Sequence, residues 1–125
     1  MIDTKSFVYE DSRWGDIHVH LKEKGFDVYS PGMKVGECTS PYIVVKDEGG
    51  NRHPNFSTNV DVYSVMCYVP KDNYSKLEPF CREVKKAMKD LEPMILYNGA
   101  ETPSYYDDGV KGHMKSIEYK NYKKL

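Results

Sequence analysis

The chain has 125 residues, three cysteines and a formal net charge of −1, from 18 basic and 19 acidic side chains. That length makes one ordinary domain. The balanced charge excludes a generic polyanion binder, and no run approaches the ~18–20 apolar residues of a membrane span. Cys38, Cys67 and Cys81 are widely spaced and include no CxxC pair, which points to a reducing compartment rather than a disulfide framework. No basic start followed by an apolar run is visible in MIDTKSFVYEDSRW, hence no secretory signal. Eleven tyrosines beside four phenylalanines and one tryptophan make the aromatic set mostly amphipathic.

In chain order, the spacing of Trp14, Ile17 and Leu21 predicts a helix from Asp11 or Ser12 to Lys24. Asp11 or Ser12 caps its start and Gly25 its end. The preceding Phe7-Val8-Tyr9 reads either as an earlier turn of this helix or as a docking arm. Phe26 to Tyr29 reads as a short strand closed by Ser30-Pro31-Gly32. Met33 to Thr39 reads as a loop into the β-prone Pro41-Tyr42-Ile43-Val44-Val45. Lys46 to Asn59 is a long polar connection, either a protruding arm or partly extra strand, and Val60 to Val69 is the strongest strand. Consecutive and joined without a helix, these two strands are expected to pair antiparallel.

Pro70 to Asn73 ends that strand. A second helix follows, with Leu77, Phe80, Cys81, Val84, Ala87, Met88 and Leu91 on one face and Lys76, Arg82, Glu83, Lys85, Lys86 and Lys89 on the other. Pro79 fits its first turn. Met94 to Tyr97 reads as a strand, Asn98 to Gly112 as a second long loop, and His113 to Tyr122 as a final strand. The expected fold is α+β: a single domain with a largely antiparallel four- to five-stranded sheet, two helices on one face, and the order α-β-β-β-α-β-β.

No constellation carries chemistry. Cys81 falls on the apolar helix face and Cys67 in a two-sided hydrophobic strand, where buried inert thiols are usual; Cys38 is the cysteine expected to be exposed. His18 and His20, two apart on a helix, cannot share a metal. Cys38, His53 and His113 match no metal spacing, Asp107-Asp108-Gly109 reads as a turn, and phosphate-binding or nucleophile motifs are missing. No catalytic, cofactor-binding or metal-ligating residue is assigned.

Five lysines and one acid lie between Lys111 and Leu125, with Tyr119 and Tyr122 among them. That pattern fits a lysine-guarded edge strand, a nucleic-acid tail or a surface for an acidic neighbour. The positive signal is surface: two long loops, one with Arg52, His53 and Phe56, the other with Tyr105 and Tyr106. Tyrosine and arginine are the residues that interfaces enrich. Those five, with Tyr119 and Tyr122, are the candidate contact residues.

In their order these features resemble the tail terminator (tail completion, head–tail joining) proteins of long-tailed phages and related tail-like particles. The likeness lies in the N-terminal helix, Val28-Tyr29-Ser30-Pro31, Ser40-Pro41-Tyr42-Ile43-Val44-Val45, the loop into Val60-Asp61-Val62-Tyr63-Ser64-Val65, the Tyr74-to-Leu91 helix and a β-rich close. The resemblance implies a virion protein without enzymatic activity or cofactor. It implies a ring of like subunits, commonly a hexamer, on the last ring of the tail tube, which ends polymerisation and joins tail to head. Implied partners are other copies of itself, the tail tube protein, and connector or sheath proteins. DNA is implied only as content of the lumen, and no membrane is involved. The alternatives are a neighbouring connector or tail adaptor and, from another class, a small cytosolic enzyme or nucleic-acid-binding regulator.

Overall fold

The structure, a computed structural model, describes residues 12–52 and 58–124, with backbone alone at 51–52, 58–59 and 123–124. Helix α1 spans Trp14–Glu23. Ile17 and Leu21, one turn apart, are fully buried. Trp14 fastens the helix to the sheet by donating its indole N–H to the Val45 carbonyl at 2.6 Å. The Ser12 hydroxyl accepts the Trp14 amide, which satisfies one of the donors left over at a helix start; Asp11 and Phe7-Val8-Tyr9 lie outside the described residues. At the other end Gly25 takes a φ of 95°. The Phe26 amide then reaches back to the Leu21 carbonyl and the Gly25 amide to that of Lys22, the left-handed cap that a glycine permits.

That cap uses Phe26, so β1 is only Val28–Tyr29, shorter than the expected Phe26–Tyr29. It pairs in parallel with Ile43 and Val44 of β2, which makes the sheet mixed. The physical reason is the 30–41 segment, long enough to carry the chain across and restart in the same direction. Strands β2 (Tyr42–Arg52) and β3 (Thr58–Pro70) pair antiparallel, from Tyr42 opposite Tyr68 to Arg52 opposite Asn59. Most of the expected polar connection is therefore strand. A bulge between Asp47 and Gly49 absorbs its irregularity, with the Asp47 carboxylate accepting the Gly49 amide. Gly50 lets the two backbones approach: a Cβ there would lie 2.5 Å from Asp61 Oδ1 and 2.7 Å from the Val60 carbonyl.

A six-residue 3-10 turn, Lys71–Lys76, leads into α2, Leu77–Met88. Leu77, Cys81, Val84 and Met88 are buried along it, and Pro79 sits in the first turn as its missing donor requires. After a shorter 3-10 turn, Lys89–Leu91, come β4 (Leu96–Glu101), β5 (Tyr105–Asp107) and β6 (Gly112–Lys124). Strand β6 pairs with β3 over its whole length and takes both β4 and β5 on its other edge. The sheet thus has six strands in the order β1-β2-β3-β6-β4, with β5 beside β6. The extra strand is β5, expected as loop.

Ile43, Val45, Tyr63, Val65, Cys67, Val69, Ile117 and Tyr119 form one buried cluster with α1 and α2, the α+β layer arrangement. On the opposite face, Tyr42 is buried. It stacks on Tyr68 with ring centroids 4.7 Å apart and meets Tyr29 edge-on, with the Lys34 ammonium over two of the rings. The 30–41 segment is pinned nearby, since the Cys38 amide donates to the Val110 carbonyl at 2.6 Å and a Cβ at Gly112 would meet Cys38 at 3.0 Å. Cys38, expected to be exposed, is buried: a loop that docks onto a glycine leaves its side chain no solvent.

Candidate functional site

The register separates the candidate contact residues. Arg52 pairs with Asn59 and Asn59 with Lys123, so Arg52 and Tyr122 share one end of the sheet. His53 and Phe56 lie outside the described residues. Tyr106 pairs with His113 and Tyr105 with Met114, at the opposite end. Nine residue steps along β6 lead from His113 to Tyr122, so the two groups stand roughly 30 Å apart at ~3.3 Å per residue.

Tyr105 and Tyr106 are 47% and 43% exposed and Tyr122 is 53% exposed, though all three lie on strands rather than in a loop or tail. Tyr119 does not belong with them. It is 3% exposed, opposite Tyr63 in the register, and burial pushes its phenol well above the ordinary range. Parity explains this: Ile117 and Tyr119 point to the helix side, and Tyr122 to the other face.

The end that carries Tyr105 and Tyr106 has a wider apolar surface than the sequence suggested. Tyr74, 57% exposed, meets His113 edge-on, as does Tyr106; His113 Nε2 donates to the Lys71 carbonyl. Met33 and Val35 project from the 30–41 segment, 69% and 80% exposed. That segment joins this end through the contact of Cys38 with Val110. Met33 and Val35 lacked a periodic pattern, so nothing local marked them. At the other end, β2 has no buried side chain from Lys46 to Gly50, and Lys120 lies over the Tyr122 ring.

Between α2 and β4 the ionisable groups gather. Glu101 accepts from Lys85 at 3.0 Å, from the Tyr97 hydroxyl and from Lys115 at 3.1 Å; Lys115 also bonds Glu78. Burial opposes the Glu101 charge, but the hydrogen bonds from Tyr97, Lys85 and Lys115 together outweigh it and hold the carboxyl at about 2. The bond to Glu78, against burial, and then those to Glu101 raise Lys115. Close by, the free thiols of Cys67 and Cys81 are hydrogen-bonded; that bond and then burial raise Cys67, while the same bond, against burial, lowers Cys81. This network clamps β4 to α2 and β6.

Outside the clamp lies a cleft of about 440 Å³. Arg82, Lys85, Lys86 and Lys89 form one wall; Glu92, Tyr97 and Tyr119 complete it. The sequence presented those cations only as the solvated side of a helix. Three other titratable side chains have structural partners. His20 Nε2 donates to the Ala87 carbonyl, His18 packs tilted against the Trp14 ring, and Asp107 accepts the Gly109 amide within a turn. Among the described residues no group of three or more His, Cys, Asp or Glu side chains is placed to hold a metal ion, and no helix is long and apolar enough to cross a membrane. The chain matches no family model and no curated protein.

Proposed function

We propose that the chain is a structural assembly protein that closes into a ring on the end of a phage-type tail tube, stops its growth and offers the surface that joins tail to head. The observation that carries this reading is the division of the exposed residues between opposite ends of one sheet: Tyr74, Tyr105, Tyr106, Met33 and Val35 at one, Tyr122 and the Lys46-to-Gly50 stretch of β2 at the other. Rings are built from heterologous contacts, in which one patch of a subunit meets a different patch of the next. A small body with unlike patches at its two ends meets that requirement. The order of elements and the Pro41-to-Val45 strand followed by β3 and α2 resemble the tail terminator family and support the same reading.

The basic C-terminal stretch favours this over a nucleic-acid tail. Lys120, Lys123 and Lys124 are paired into β6 against β3, so their backbone is held in a sheet rather than free to track phosphates. The test is the mass of the protein in solution and on purified tail tubes, with negative-stain images of the tube ends. Rings at one end of the tube, and tubes that stop growing when the protein is added, are expected. A protein that stays monomeric and never decorates tube ends sinks the proposal.

A further inference from the structure

Apart from Lys85 and Tyr97, which hold Glu101, the side chains lining the cleft between α2 and β4 take no part in the hydrogen bonds and ion pairs above. Arg82, Lys86 and Lys89 lie on the exposed side of α2 and the turn that follows, at i, i+4 and i+7. Like charges at such spacings repel one another. Lys85 answers Glu101, whereas Arg82, Lys86 and Lys89 have no ion pair among the described residues. Behind them the cleft is walled by the Tyr97 ring, 45% exposed, edge-on to Tyr119, and by the aliphatic stems of the cations. A rim on which Arg82, Lys86 and Lys89 outnumber the single acid Glu92, over an apolar floor, takes a ligand with carboxylates beside large apolar side chains.

The sequence supplies one such segment: Phe7-Val8-Tyr9-Glu10-Asp11, three apolar residues followed by two acids. Arg82 to Lys89 spans about 10 Å of helix, and Phe7 to Glu10 in extended form spans about the same. We infer that residues 7–11 of a neighbouring copy dock in this cleft, with Glu10 and Asp11 on Arg82, Lys86 and Lys89 and an aromatic side chain against Tyr97. The inference deepens the ring reading and rests on it for the neighbour. The arm of one subunit and the cleft of the next are unlike surfaces, as a closing head-to-tail contact requires. The apolar floor favours a peptide over nucleic acid, whose bases need open, stackable faces.

The test uses a fluorescent peptide of residues 1–11 titrated into the full chain, read by anisotropy at two salt concentrations. Saturable binding is expected, weakened at least tenfold by R82E/K86E/K89E, by Glu10→Lys and Asp11→Lys in the peptide, and by added salt. Because the three cations are exposed, the triple variant keeps the fold, checked by circular dichroism. Binding that survives the triple reversal overturns the proposal, as does absence of binding to both wild type and the E10K/D11K chain. A chain that is monomeric at the assay concentration and refuses the peptide until its own Glu10 and Asp11 are reversed has its arm in its own cleft, which overturns the assignment to a neighbour. A 20-nucleotide single strand held through the same cations when the peptide is not held overturns it in favour of nucleic acid. The two readings fail separately. Rings on tubes formed equally by R82E/K86E/K89E sink the arm contact alone, and specific peptide binding by a chain that never decorates tubes sinks the tail assignment alone.

Discussion

Replacing Glu101 with glutamine isolates the clamp that holds β4. The side chain is 17% exposed, and its charge is met by Lys85 from α2, Lys115 from β6 and the Tyr97 hydroxyl from β4 itself, with Glu78 of α2 on the far side of Lys115. Burial works against the carboxylate; the three donors more than offset it, and the carboxyl falls from 4.5 to about 2. At ~1.4 kcal/mol per tenfold change, that fall corresponds to about 3 kcal/mol of stability. The folded chain holds the proton less tightly than the unfolded one. The stabilisation is therefore complete above the unfolded value of 4.5 and is lost as pH falls through about 2. Urea unfolding of wild type and Glu101→Gln, followed by circular dichroism, should differ by about 3 kcal/mol at pH 7, near 10 °C in Tm for a chain of this size. The difference should hold down to pH 5, shrink between pH 4.5 and 2, and vanish near pH 2. Because both proteins carry the same remaining carboxylates, their difference isolates this one. A gap below about 1 kcal/mol at pH 7, or one that does not change between pH 5 and 2, would refute the account.

Tyr63→Phe removes the hydroxyl that accepts the Arg13 amide at 2.9 Å and leaves that donor unpaired; a loss of about 1–2 kcal/mol is expected in urea unfolding. Gly50→Ala forces a Cβ to within 2.5 Å of Asp61 Oδ1, so a loss of about 1–3 kcal/mol should appear together with faster amide exchange in Asn51 and Val60. Tyr105→Ser with Met33→Ser, both exposed, should shift stability by less than about 0.5 kcal/mol yet lower ring formation on tail tubes; equal ring yield would remove this end from the interface. Shortening residues 47–56 should leave a cooperative unfolding transition, because β3 keeps β6 as its partner and β2 has no buried side chain from Lys46 to Gly50, while assembly falls.

The helices were legible because burial on a helix repeats every three to four residues, and Ile17, Leu21, Leu77, Cys81, Val84 and Met88 carry that period in plain view. Gly25 was legible as a stop for a comparably local reason. Strand ends were not. Lys46 to Arg52 reads as a polar connection, with extra strand as one of two alternatives, because the side chains that mark a strand serve burial, whereas here the backbone pairs with β3 and from Lys46 to Gly50 leaves its side chains in water. Strand β5 escaped notice because three residues are too few to show a period, and its pairing depends on His113 and Met114 in a distant segment. Tyr119 was misplaced through charge: the lysines around it suggested surface, while its parity with Ile117 placed it in the core. The cationic cleft was half-legible, since the row of Arg82, Lys86 and Lys89 is local but its apolar floor comes from β4 and β6.

The outer edge of β2 bears on how such a subunit would meet its neighbours. Strand β1 covers only Ile43 and Val44, so from Lys46 to Arg52 that edge has no strand partner among the described residues. An open edge invites another strand, and strand addition repeats without limit. Here the edge begins with Lys46, Asp47 and Glu48, and the bulge at Asp47 and Gly49 breaks the regular row of donors and acceptors. Both features oppose edge-to-edge pairing. The unlike patches at the two ends of the sheet do not share that open-endedness, because a contact of fixed rotation closes once its angle divides the circle. A protein whose proposed task is to end the growth of a tube is better served by contacts that close than by an edge that continues. The charged, bulged rim of β2 and the exposed tyrosines at the sheet ends fit that division of labour.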